Sequence, residues 1–255
     1  MRALGTVIEW SGESLSENDF YCGVLDYYDH WNSVDARLRP HHKRLSAPAF
    51  ALGHDIVNLA SYASEILRWI SPEHIRLAPS VVMAGAMTEA FFYSVRSACD
   101  AIAATLAYVA CERPGQAPKE RLPRLIRWAN ENRTRVRPEV LTVLSADFAW
   151  FWKLRNLRDQ IVHQNADANI HCDGHQFNLW IHSPEVGWIT REPLLPLLAN
   201  LLERLVAFGN DAAFVVNKVV DLPPDRIRSR VVHGVLVPAL HNLVSTAPEY
   251  ARPSP

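Results

Sequence analysis

One stretch constrains this chain more than any other. Arg137 to Gln164 reads as a single helix, with Pro138 at its start. Trp150, Leu154, Leu157 and Ile161 recur at i, i+4, i+7 and i+11, which at 3.6 residues per turn makes one apolar stripe. Trp152, Asn156, Asp159 and His163 repeat that spacing on the opposite side. Behind a core-facing stripe there therefore runs a row of hydrogen-bonding groups that ends in a histidine. Arg155 and Arg158 sit on the flanks. Such a helix cannot stand alone; it needs other elements against its apolar front.

Most of the remaining chain supplies helices. Ala3 to Trp10 is β-branched enough for a short strand, and a helix is expected from about Glu17 to Leu38, broken by Pro40-His41-His42-Lys43. His41-His42 reads as a loop pair with no visible partner. A second helix runs from about Pro48 to Ile70, a third from about Pro79 to Cys111, and a shorter one from Lys119 to Asn132. After Gln164 the period changes from 3.6 to 2. Ala168–Cys172 and His175–Ile181, joined at Asp173-Gly174, read as a β-hairpin with a type I′ turn, whose central residues need positive φ. A last long helix is expected from about Glu192 to Val220, closed by Pro223-Pro224, and one more short helix within the tail from Arg226 to Pro255.

Charge and cysteine usage exclude several classes. The net charge is −1, so no global field draws the chain onto nucleic acid or membrane, and such binding must come from a local patch. The basic set is 22 Arg against 4 Lys, a bias that suits phosphate recognition and equally follows from a GC-rich genome. Cys22, Cys99, Cys111 and Cys172 contain no CxxC and read as reduced, buried thiols of a cytoplasmic protein. The N-terminus lacks the pattern of a signal peptide. The most apolar stretch, Ala78 to Cys111, carries Glu89, Arg96 and Asp100, which argues for a buried helix and against a membrane span.

Arg158-Asp159-Gln160-Ile161-Val162-His163 resembles the signature of the HEPN family (higher eukaryotes and prokaryotes nucleotide-binding): Arg, four to six residues, then His, with a polar residue directly after the Arg. Asn156 and the run from Leu154 to His163 look like one HEPN subgroup, and Tyr93-Ser94-Val95-Arg96-Ser97-Ala98-Cys99-Asp100-Ala101-Ile102 resembles the helix that pairs with the motif helix. The bare spacing also occurs at Arg37–His42, Arg68–His74 and Arg228–His233, so the helical context carries the likeness. The likeness spans roughly Pro79 to Val220. It implies a mainly all-α fold, a HEPN-like helical bundle with a small β-hairpin insertion. In it a single domain covers 1–255, with a core of about 79–220 and an N-terminal helical extension of about 15–72.

The resemblance also implies chemistry. Many HEPN proteins cut RNA without metal or other cofactor, using the ribose 2′-OH and leaving a 2′,3′-cyclic phosphate and a 5′-OH; others are catalytically silent modules that bind nucleotide, RNA or protein. His163 has the pKa range to pass protons at neutral pH, and Arg158 can stabilise a negatively charged phosphorane. Asp159, four residues before His163, is within reach to orient it, and Asn156 to bond phosphate or arginine. Residues five apart on a helix point roughly 140° apart and lie about 7.5 Å apart along the axis. Arg158 and His163 of one chain therefore converge on one phosphate only if the helix distorts, or if two copies face each other as HEPN subunits do. A homodimer is expected, with RNA as substrate and an antitoxin or nucleotidyltransferase as a further partner, in a toxin–antitoxin or defence setting. One subgroup carries a modifiable Tyr two residues after the His; Asn165 stands there in this chain, so that modification is not supported.

Three further clusters have two readings each. Glu112 to Arg137 holds eight basic residues and Trp128, among them Arg124 and Arg127. With Arg155, these form an RNA-tracking surface or simply a solvated face. Arg96 and Asp100, at i, i+4 in an apolar helix, are a structural ion pair or buttresses of the motif helix. His171-Cys172-Asp173-Gly174-His175, with His182, invites a metal. Alternate residues of a strand face opposite ways, however, and no second ligand pair completes the set, so no metal is expected.

Overall fold

The structure, a computed structural model, describes residues 9–10, 13–14, 39–71, 74, 78–113, 115–118, 121–163, 167–173, 176–183, 187–220 and 243. The expected helix from Glu17 to Leu38, Cys22, and the tail apart from Leu243 lie outside these residues. Two short strands, β1 (Glu9–Trp10) and β2 (Glu13–Ser14), pair antiparallel. Six helices and a three-stranded sheet follow: α1 (Arg39–Trp69), α2 (Ala78–Val109), α3 (Leu122–Glu131), α4 (Pro138–Leu144), α5 (Ala149–His163), β3 (Asp167–Asp173), β4 (Gln176–Ser183), β5 (Gly187–Pro193) and α6 (Leu194–Val220). Among the described residues the protein is mainly α, with a small three-stranded antiparallel sheet besides the β1–β2 pair, the fold class that the sequence predicts. Among the described residues, no helix is long and apolar enough to cross a membrane.

Helix α1 begins nine residues earlier than expected and keeps Pro48 inside it. A proline in a helix interior costs about 3 kcal/mol, because its ring crowds the preceding turn and the carbonyl four residues back loses its donor. The buried stripe explains why the helix continues. It starts at Leu45, before the proline, and runs through Ala49, Leu52, Ile56, Leu59, Ala63 and Ile66. Burying one leucine contributes roughly 1.5–3 kcal/mol, so the leading turns offset the proline. His41 is likewise helical, not in a loop, and its Nδ1 hydrogen-bonds the Tyr108 hydroxyl at 2.9 Å.

The chain divides into two compact units, each collecting three separate segments. The first holds the described parts of Met1–Ile56, Ser97–Asp147 and Leu205–Gly234. Here Asp100 accepts the Leu122 N–H at 2.8 Å, where α3 begins, and the Arg137 N–H donates to the Ala110 carbonyl at 2.8 Å. Lys218 on α6 pairs with Glu139 on α4 at 2.6 Å. Asp55 on α1 is half-buried; burial pushes its carboxyl up to about 6, against the lowering effects of a Ser97 hydrogen bond and the His54 charge.

The second unit holds the described parts of Val57–Arg96, Phe148–Arg204 and Val235–Pro255. Its sheet has the order β3-β4-β5, all antiparallel, so the predicted hairpin gains a third strand. Asp173 pairs with Gln176, so Asp173 belongs to the strand and is not a central residue of the turn as expected. Register sorts the faces. Ala168, Ile170, Leu179 and Ile181 share one face and are buried; Asn169, His171, Trp180 and Arg191 share the other. His171 stacks on Trp180 with 4.3 Å between ring centroids, and Cys172, on the opposite face, is exposed and not buried as expected. Helix α2 lies directly against β3. Glu89 accepts the Ala168 N–H at 3.2 Å, and a Cβ on Gly85 would collide with the Ala168 carbonyl. Burial raises the Glu89 carboxyl above its ordinary value, with the Ala168 hydrogen bond working the other way.

Candidate functional site

The organising helix is two helices. The Ser145 N–H turns back to the Leu141 and Val143 carbonyls, the Ala146 N–H bonds the Val143 carbonyl, and α5 opens afresh at Phe148, whose carbonyl accepts from Phe151 and Trp152. Serine and aspartate compete with the helical backbone for hydrogen bonds, so Ser145-Ala146-Asp147 is a natural break. The restart lets Phe148 and Phe151 both go inside. The buried stripe of α5 is accordingly Phe151, Leu154, Leu157 and Ile161, with Trp150 only half-buried in the place expected of it.

Two other faces of α5 are fixed by named contacts. Toward β5, Lys153 pairs with Glu192 at 2.8 Å and Gln160 accepts from Thr190 at 3.2 Å; the members of each pair of positions stand seven and two residues apart, one face on helix and strand alike. Toward α2, the Arg96 guanidinium lies 5.2 Å from the Phe151 ring and Arg158 lies 5.5 Å from the Tyr93 ring. The two contacts run in opposite senses along the helices, so α5 and α2 are antiparallel here.

What remains of α5 is an outward ridge. Asp159 sits at its centre. Oδ1 accepts from Arg158 Nη1 at 2.7 Å and Oδ2 from Arg155 Nε at 3.3 Å, so one carboxylate gathers two guanidinium groups. Arg155 also lies 5.7 Å from the Trp152 ring. Trp152 and Tyr93 are 38% and 42% exposed, so aromatic faces flank the arginines at the surface. Asn156 is exposed beside them, and His163 is the last residue of α5. The ridge is not built for stability. Ion pairs this exposed contribute about 0–1 kcal/mol each, and holding long side chains costs entropy. What the arrangement achieves is a fixed direction for Arg158, held by a carboxylate on one side and a ring on the other.

The structure thus brings Asn156, Arg155, Arg158 and Asp159 together on one helix face, with Arg96 beneath on Phe151. The His163 side chain lies outside the described residues, and with it the expected contact from Asp159. The α5 backbone is helical through His163, so positions 158 and 163 keep the roughly 140° divergence of a regular helix. Asp100, Arg124 and Arg127 belong to the other unit. At Arg68–His74, α1 ends between the two residues, and His74 Nδ1 bonds the Ser71 hydroxyl at 3.0 Å. Tyr93 is legible in the sequence only as a helix residue and Trp152 as a member of the stripe opposite the core; their exposure and their position beside arginine guanidinium groups mark them as part of the ridge. No protein-family model, curated protein or solved structure matches this chain.

Proposed function

We propose that this chain is a metal-independent, HEPN-like endoribonuclease, acting in the cytoplasm as the toxin or effector of a bacterial defence or toxin–antitoxin system. The observation that supports it is the exposed ridge of α5, on which Asp159 aims Arg155 and Arg158 between Trp152 and Tyr93, one and a half turns before His163. Exposed aromatic faces beside guanidinium groups suit unstacked bases on a phosphate backbone. In the reaction, the 2′-oxygen attacks the adjacent phosphorus and passes its proton to an imidazole. Arg158 takes the charge of the phosphorane. The P–O5′ bond breaks, and an imidazolium returns a proton to O5′. The divergence of 158 and 163 within one helix means that each site borrows its second residue from another copy.

A silent module that binds RNA, nucleotide or a protein partner is the second reading. It is favoured by the same Asp159 pair, which leaves Arg158 partly neutralised before any ligand arrives. Labelled single-stranded RNA incubated with the pure chain in EDTA separates the two. Fragments with 2′,3′-cyclic phosphate ends, lost in both Arg158→Ala and His163→Ala, support the enzyme. Intact RNA that is retained by the folded wild type, but not by Arg158→Ala, supports the module. A strict monomer at micromolar concentration that still cleaves would overturn the shared site.

A further inference from the structure

The first unit contains a second group of arginines in a different setting. The segment Thr134-Arg135-Val136-Arg137 runs beside the chain that leaves α2, pinned by the Arg137 N–H on the Ala110 carbonyl. Val136 is buried, whereas Arg135 is exposed and Arg137 half-buried. Together with Arg113 they line a cleft of about 690 Å³. Among the described residues, no carboxylate forms an ion pair with any of the three guanidinium groups. Nε of Arg137 is buried and meets no hydrogen-bond acceptor among the described residues. A buried donor left unmet is unfavourable, and an incoming anion would relieve it.

The acidic residues of the cleft offset this charge only in part. Glu139 is bonded to Lys218, which holds its carboxyl below the ordinary value, and Glu112 is exposed at the rim. The field of Arg135 and Arg137 reaches the neighbouring Cys111, where it opposes the upward push of burial on the thiol. Like charges gathered in a concavity focus potential and draw in counter-ions. The volume falls within the range of small-molecule sites. None of the described lining residues is aromatic; they offer guanidinium forks, the Gln116 amide and the Thr134 hydroxyl, and no ring for a base to stack on.

We propose that this cleft binds a small, multiply charged phosphate anion, such as the oligophosphate of a nucleoside triphosphate, through Arg113, Arg135 and Arg137. The site shares no residue with the α5 ridge and does not depend on the ribonuclease reading. Calorimetric titration of the full-length chain with sodium tripolyphosphate at low salt tests it. Wild type is expected to bind, and the double variant Arg113→Ala/Arg135→Ala, both exposed positions, to bind at least tenfold more weakly. Arg204→Ala on α6, an exposed position outside both groups of arginines, should bind as wild type does. A parallel titration with adenosine triphosphate and with a single-stranded RNA oligonucleotide identifies the source of the phosphate. Affinity for adenosine triphosphate that follows tripolyphosphate through the variants supports the proposal. No binding of tripolyphosphate by wild type, unchanged binding in the double variant, or binding of RNA alone would overturn it.

Discussion

Two groups of arginines in this molecule are alike in composition and opposite in circumstance. On α5, Arg155 and Arg158 share one carboxylate and rest on aromatic rings. Around the cleft, Arg113, Arg135 and Arg137 have no such partner among the described residues, and one buried Nε is left over. The first group is aimed before a ligand comes. The second holds charge in reserve. One falls in the motif stretch and the other in a run that reads simply as basic, and the count of arginines says nothing about which will be directed and which will be open. The neighbours within one turn or one strand step decide it.

That contrast can be broken most forcefully at Asp159. If the carboxylate aims Arg158, Asp159→Asn should slow RNA cleavage by about ten- to a hundredfold, the range of a lost charge-assisted positioning contact. Thermal stability should hardly move, since the pairs are exposed. Cleavage rates equal to wild type would show that the pairing on the ridge is incidental. The converse case, a carboxylate without an arginine, is Asp55. Its pKa is raised from 3.8 to about 6, and its Oδ2 has no partner among the described residues. The folded state therefore holds the proton more tightly than the unfolded state, and stability falls as pH rises from about 3.8 to about 6. Asp55→Asn should be more stable than wild type by about 1–2 kcal/mol at pH 7, after allowance for solvent screening, and equal to it below the lower pKa. Denaturant titrations at pH 7 and pH 3.5 check the sign; a variant less stable at pH 7 would refute it. The smallest effect belongs to the cleft. Glu139→Gln removes a negative charge from its wall and should tighten tripolyphosphate by about threefold. Weaker binding would refute the electrostatic account of the cleft.

The sequence made helices legible wherever burial imposes a 3.6-residue period, and α2, α3 and α6 lie within a few residues of their expected bounds. It failed where a local signal was outweighed or disguised. Pro48 reads as a helix start, yet Leu45 and Ala49 are buried on both sides of it. Ser145 to Phe148 breaks a run whose apolar residues alone suggest continuity. Strand β5 was hidden because Glu192 and Pro193 look like the opening of the helix that follows, and only their pairing with Leu179 and Asn178 reveals a strand. For the site, Arg158, Asp159 and Asn156 could be named from the motif in its helical context, though not from spacing alone. Tyr93 could not be paired with Arg158, because a contact across sixty-odd residues leaves no trace in either helix. The charge run from Glu112 to Arg137 was visible, but the fold selects three of its eight basic residues for the cleft.

The close approach of α2 to β3 bears on how the protein behaves in a crowd. A three-stranded sheet has two free borders, each a template on which another chain can add a strand and start a fibre. Gly85 admits the α2 backbone to one border at Ala168, and Glu89 occupies an N–H that a stranger would need. The other border ends in Pro193, which has no N–H to offer. A larger residue at position 85 would thus do more than loosen a contact: it would open a border to polymerisation, and its first symptom would be insolubility.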